Sequence, residues 1–81
     1  MNVLEEVKKA ICKIQPGIDE TKIVPEARFK EDLEIDSLSK VEMALALEDT
    51  LNLTLQDAEL DEIKTIKQVV ELIESRLNVR A

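Results

Sequence analysis

The stretch Glu31-Asp32-Leu-Glu34-Ile-Asp36-Ser37-Leu38-Ser-Lys-Val41-Glu42-Met43-Ala44-Leu45-Ala-Leu47-Glu48-Asp49-Thr-Leu51 decides the fold. An acidic approach leads into an apolar-periodic run, Leu38 to Leu51, and that spacing predicts a helix over about Ser37 to Leu51. Asp36 and Ser37 are both residue types favoured at helix starts. A serine there holds its hydroxyl in solvent, close to backbone N–H groups that lack a partner inside the helix and to the positive end of the helix dipole. A phosphate ester on the Ser37 oxygen would be well placed.

Advancing about 100° per residue from Leu38 divides the apolar residues of this helix into two faces. Met43, Ala44, Leu47 and Leu51 fall between about 140° and 240° and are expected in the core. Leu38, Val41 and Leu45 fall on the opposite side, at about 300° to 360°, with Glu42, Glu48 and Asp49 bordering them. A core-facing stripe ringed by three carboxylates would be costly, because an unpaired buried charge loses its hydration. The expectation is an exposed apolar strip with an acidic rim, suited to a transient protein interface. The competing expectation is a central helix whose two faces are both covered.

Upstream, Asn2 with Glu5 reads as a capping box opening a first helix. Val3, Leu4, Val7, Ala10, Ile11 and Ile14 recur at helical spacing until Pro16-Gly17 ends it. Cys12 lies about 140° from the centre of that stripe, so it is expected to be exposed. Residues 18–36 form a long connection, unusual in a compact domain, which Ile18, Ile23, Val24, Phe29 and Leu33 should anchor to the bundle. Downstream, Thr54 or Gln56-Asp57 opens a short third helix through Leu60 or Glu62. Thr65 with Gln68 makes a further capping box before a last apolar helix. The reading is an all-α fold, a small four-helix bundle of three longer helices and one short one, with residues 1–81 as one domain.

The 81 residues carry a net charge of −7 and no Trp or Tyr, with Phe29 the only aromatic side chain. The charge is concentrated: Glu31 to Glu62 hold eleven acids against Lys40, a net −10, and the remainder holds seven acids and ten bases, a net +3. Such a run reads either as a solvated acidic surface or as a docking surface for basic protein partners, and it disfavours nucleic acid, whose phosphates need a basic patch. A single cysteine excludes an internal disulfide, and no run approaches the ~18 apolar residues of a membrane span. With no secretory h-region visible either, the chain reads as cytoplasmic and monomeric, without membrane insertion.

There is no histidine, so serine–histidine or cysteine–histidine catalysis and histidine-based metal sites are excluded. The single glycine, Gly17, excludes a Gly-rich phosphate loop. Asp32, Glu34 and Asp36 alternate as in a calcium loop, but Ser37 stands where that loop needs glycine and Met43 where it needs a bidentate glutamate. No catalytic residue and no dedicated metal site are expected.

The segment from Ala27 to Asp49 resembles the acyl carrier protein family's A-x-F-x-x-D-L-x-x-D-S-L-x-x-V-E-x-x-x-x-L-E-[ED] stretch, and Ile63 with Thr65 fits its I-x-T-[VI] region. The resemblance covers nearly the whole chain. It implies a non-enzymatic carrier with 4′-phosphopantetheine joined to Ser37, beside Asp36, by a phosphopantetheinyl transferase acting on coenzyme A. Acyl groups would ride on the arm as thioesters. It also implies that Leu38, Val41, Glu42, Leu45, Glu48 and Asp49 meet acyl-transferring and chain-elongating enzymes through basic docking surfaces, in fatty-acid or related lipid or polyketide synthesis. A peptidyl or aminoacyl carrier shares the serine and the bundle and is the alternative. Glu34 stands where the family commonly has glycine, Ser39 replaces a frequent aspartate, and Lys40 puts a positive charge beside the expected strip.

Overall fold

The computed structural model describes residues 2–77 and contains α1 (Val3–Ile14), α2 (Ser37–Leu51), α3 (Asp57–Glu62) and α4 (Ile66–Leu77). Among the described residues there is no strand, only an isolated antiparallel bridge between Arg28 and Thr65. The all-α expectation of three long helices and one short one holds.

The helix ends follow the local sequence signals. The Asn2 side chain accepts the Glu5 N–H at 3.3 Å at the start of α1. Thr65 and Gln68 form both halves of a reciprocal cap: the Gln68 N–H donates to Thr65 Oγ1 at 3.2 Å, and the Thr65 N–H donates to Gln68 Oε1 at 3.0 Å. Of the two starts open for α3, the chain takes the later, with Gln56 preceding the helix and its N–H donating to Glu59 Oε1 at 3.0 Å. Asn52 ends α2 in the left-handed region, at φ 55°, which asparagine tolerates better than most residues.

Val3, Val7, Ala10 and Ile11 of α1 bury their stripe with Met43, Ala44 and Leu47 of α2 and Ile66, Val69 and Ile73 of α4. α1 packs on both α2 and α4, and α3 lies against α2. Leu51, expected in the core, is half-buried at its edge, because α2 ends there and nothing continues the helix over it.

The long connection is anchored, as expected, through buried Ile23, Ala27, Phe29, Leu33 and Ile35 and half-buried Ile18. Val24 is not an anchor; it is exposed in the turn before Pro25, where its carbonyl accepts the Ala27 N–H and its neighbours occupy the buried positions. Three backbone bonds tie this connection to the start of α4: Phe29 N–H to Lys64 O at 3.0 Å, Ile66 N–H to Ala27 O at 3.0 Å, and Lys67 N–H to Pro25 O at 2.9 Å. The last two satisfy first-turn amides of α4 that the helix itself cannot.

Cys12 also departs from its expected exposure: it is half-buried against the core. Burial raises the thiol pKa, the Glu20 carboxylate raises it further, and Lys8 opposes them weakly. The connection around Glu20 therefore lies near the flank of α1 that an isolated helix would leave open. The protonated thiol is a poor nucleophile near neutral pH.

Candidate functional site

At the start of α2, Asp36 is the cap and Ser37 the first helical residue. Asp36 Oδ1 accepts the Ser39 N–H at 2.8 Å and its backbone carbonyl accepts the Lys40 N–H at 2.9 Å, which sets the first turn. The Ser39 N–H is the leading reason that the Asp36 carboxyl is held below the usual carboxylate range. Already engaged and weakly basic, this carboxylate is poorly suited to take a proton from Ser37. Ser37 itself is exposed. The site therefore presents a hydroxyl and does not activate it.

The backbone reaches this cap through Glu34, which sits at φ 55° in the left-handed region. The Ile35 N–H then closes onto Phe29 O at 2.7 Å. A non-glycine residue in this region stores about 1 kcal/mol or more of strain, which accounts physically for the glycine common at this position in the resembling family. Glu34→Gly is expected to stabilise the fold by about 0.5–1 kcal/mol, although glycine in a helix interior costs a similar amount. A lower urea midpoint for this variant would show that Glu34 is unstrained.

The helical angles of α2 are realised in its burial. Leu38 is 70% exposed, Leu45 59% and Val41 37%, while Met43, Ala44 and Leu47 are buried. The alternative of a central helix covered on both faces is thus excluded. Glu42 and Asp49 are exposed at the rim. Glu48 departs from the expected free rim charge: it is half-buried, and its Oε2 accepts the Leu55 N–H at 2.6 Å. The left-handed turn at Asn52 brings the α2–α3 loop back past the last turn of α2, where Glu48 ties it down.

Lys40 also departs from its expected place beside the strip. At about 200° from Leu38 it lies on the far side of α2, and its Nζ crosses to donate to Ile63 O at 2.9 Å. The ammonium lies 6.0 Å from the centroid of the Phe29 ring. Its pKa is lowered first by burial and then by Lys64, against a weaker pull from Asp61. These groups border a groove of about 460 Å³ whose lining includes Ser37, Phe29, Ile35, Lys40, Ile63 and Lys64. The angle of Lys40 was readable from the sequence; the partners of Lys40 and Glu48 were not, since both lie across loops. Among the described residues no group of three or more acids or cysteines is arranged to hold a metal ion, and no helix is long and apolar enough to cross a membrane.

Comparison with known proteins places this geometry in a family. The family model described as a phosphopantetheine attachment site matches residues 5–73. The acyl carrier protein of Thermosynechococcus vestitus is 41% identical over 75 residues, covering 93% of this chain and 91% of its own. That of Helicobacter hepaticus is 41% identical over 75 residues, covering 93% of this chain and 97% of its own. Both relatives are named as acyl carriers and neither as a peptidyl carrier, which sets aside the peptidyl alternative. With a phosphopantetheine-bearing domain over most of its length and relatives of this identity along nearly all of it, the chain belongs to the acyl carrier protein family.

Proposed function

We propose that the Ser37 oxygen is the atom to which 4′-phosphopantetheine is joined, by a separate phosphopantetheinyl transferase acting on coenzyme A. The observation that carries this reading is an exposed serine hydroxyl at the first helical position, beside an exposed apolar strip on the same helix. The residues present fit the group: Ser37 is exposed, and it opens on a groove of about 460 Å³ with room for a substituent. When bound, the group supplies a terminal thiol that holds acyl groups as thioesters. Asp36 holds the helix start that presents Ser37, and the protein contributes position without acid–base catalysis.

Leu38, Val41 and Leu45 would supply the apolar contact to partner enzymes, with Glu42 and Asp49 steering basic surfaces onto it. Glu48 would contribute less steering than a free carboxylate, since its oxygen is engaged with Leu55. A small interface steered by screened charge releases quickly, and the tether keeps the acyl group concentrated at whichever enzyme is docked. The partners in this reading are acyl-transferring and chain-elongating enzymes of fatty-acid or related lipid or polyketide synthesis. The carrier acts as a monomer in the cytoplasm.

The intact mass of the protein from its native cell reports both arm and cargo. A chain that stays unmodified after incubation with a transferase, coenzyme A and magnesium would overturn the reading. Glu42→Lys is expected to lower kcat/KM for acyl transfer by about tenfold at low salt, with the deficit shrinking as salt rises. Its circular dichroism should match the wild type, because the side chain is exposed. Unchanged transfer at low salt would remove this strip as the docking surface.

A further inference from the structure

Ser37 and Lys40 are three residues apart on α2, so their side chains are neighbours on the helix surface. Both line the groove, across which Lys64 approaches from the α3–α4 connection. We propose that Lys40 and Lys64 form a cationic clamp on the phosphodiester at Ser37. This rests on Ser37 being the attachment point.

Charge decides which way the arm lies. On the strip side a phosphodiester would approach the exposed carboxylate of Glu42. On the groove side, Lys30, Lys40 and Lys64 balance Glu31, Asp36 and Asp61, within a segment that otherwise carries a strong negative excess. Lys40 has three donor hydrogens and spends one on Ile63 O, so two remain for an anion. The repulsion that Lys64 exerts on Lys40 outweighs the attraction of Asp61, and an anion between the two ammonium groups would relieve it. A phosphodiester held there leaves Leu38, Val41 and Leu45 free for a partner.

Isotope-labelled apo and arm-bearing protein, with the arm verified by intact mass, provide the test by nuclear magnetic resonance. Addition of the arm should move the Lys40 side-chain titration to higher pH, because a nearby anion favours the charged form, and should shift the Lys64 side-chain resonances. It should also shift the Phe29 ring and Ile63 methyl resonances. Lys64→Gln replaces an exposed side chain and leaves the Lys40–Ile63 bond in place. In this variant the arm-induced change at Lys40 should persist, while the Phe29 and Ile63 shifts should shrink as the clamp loses one jaw. An arm present by mass with the Lys40 titration and the Lys64, Phe29 and Ile63 resonances unchanged would overturn the clamp and leave the Ser37 reading intact. A protein that gains no mass would overturn the Ser37 reading instead.

Discussion

Ser37→Ala, incubated with a phosphopantetheinyl transferase, coenzyme A and magnesium, should keep its unmodified mass, while the wild type gains one arm. The expected loss is complete because the reaction needs an oxygen at that one position. Ser39 is two residues further on, about 200° around the helix and half-buried, with its N–H tied to Asp36. The stability of the variant should stay within about 0.5 kcal/mol of wild type, since an exposed hydroxyl is removed and alanine is a good helix former. The cap is supplied by Asp36, which the substitution leaves alone. A gain of one arm by the alanine variant would show that another residue accepts it.

The second large effect separates two leucines two positions apart on α2. Leu47 is 1% exposed and Leu45 59%. Leu47→Ala removes buried methyl groups and leaves a cavity in an aliphatic core, which should cost about 2–5 kcal/mol. For a domain of this size the whole stability is about 4–12 kcal/mol, so this one substitution removes a large part of it. In a chain of this length the melting temperature should fall by ~10 °C or more. Leu45→Ala should change the urea midpoint little, but it should slow acyl transfer if the strip is the docking surface. Equal destabilisation by the two substitutions would contradict the assignment of the faces of α2. Equal transfer by wild type and Leu45→Ala would spare the fold and remove the docking role.

The sequence reading succeeded where local rules govern. Helix phase alone separated Met43, Ala44 and Leu47 from Leu38, Val41 and Leu45, and the structure separates them in the same way. The Thr65 and Gln68 cap was legible because both halves lie within one turn. Residues that meet across loops were not legible. Glu48 reads as a rim charge until the turn at Asn52 returns the Leu55 amide to it. Cys12 reads as exposed until the segment around Glu20 comes near its flank. Helix phase alone puts Lys40 on the face away from the strip, whereas its bond to the Ile63 carbonyl crosses to another element and was not legible. Glu34 was visible only as an exchange for glycine, and its positive φ supplies the physical reason. The role given to Ser37 came mainly from family resemblance, since Asp-Ser-Leu alone is an ordinary helix start.

The backbone bonds between the connection and α4 bear on the order of events when the chain is made. Ala27 and Ile66 are joined although 39 positions separate them along the sequence. Contacts between residues this distant must first close a long loop, and they form after neighbouring helical turns. Part of the fastening of the segment leading into Ser37 therefore waits until the fourth helix has formed and docked. A chain in which that helix is undocked would hold the approach to the serine less firmly. The finished presentation of Ser37 thus depends on a helix far from it in sequence.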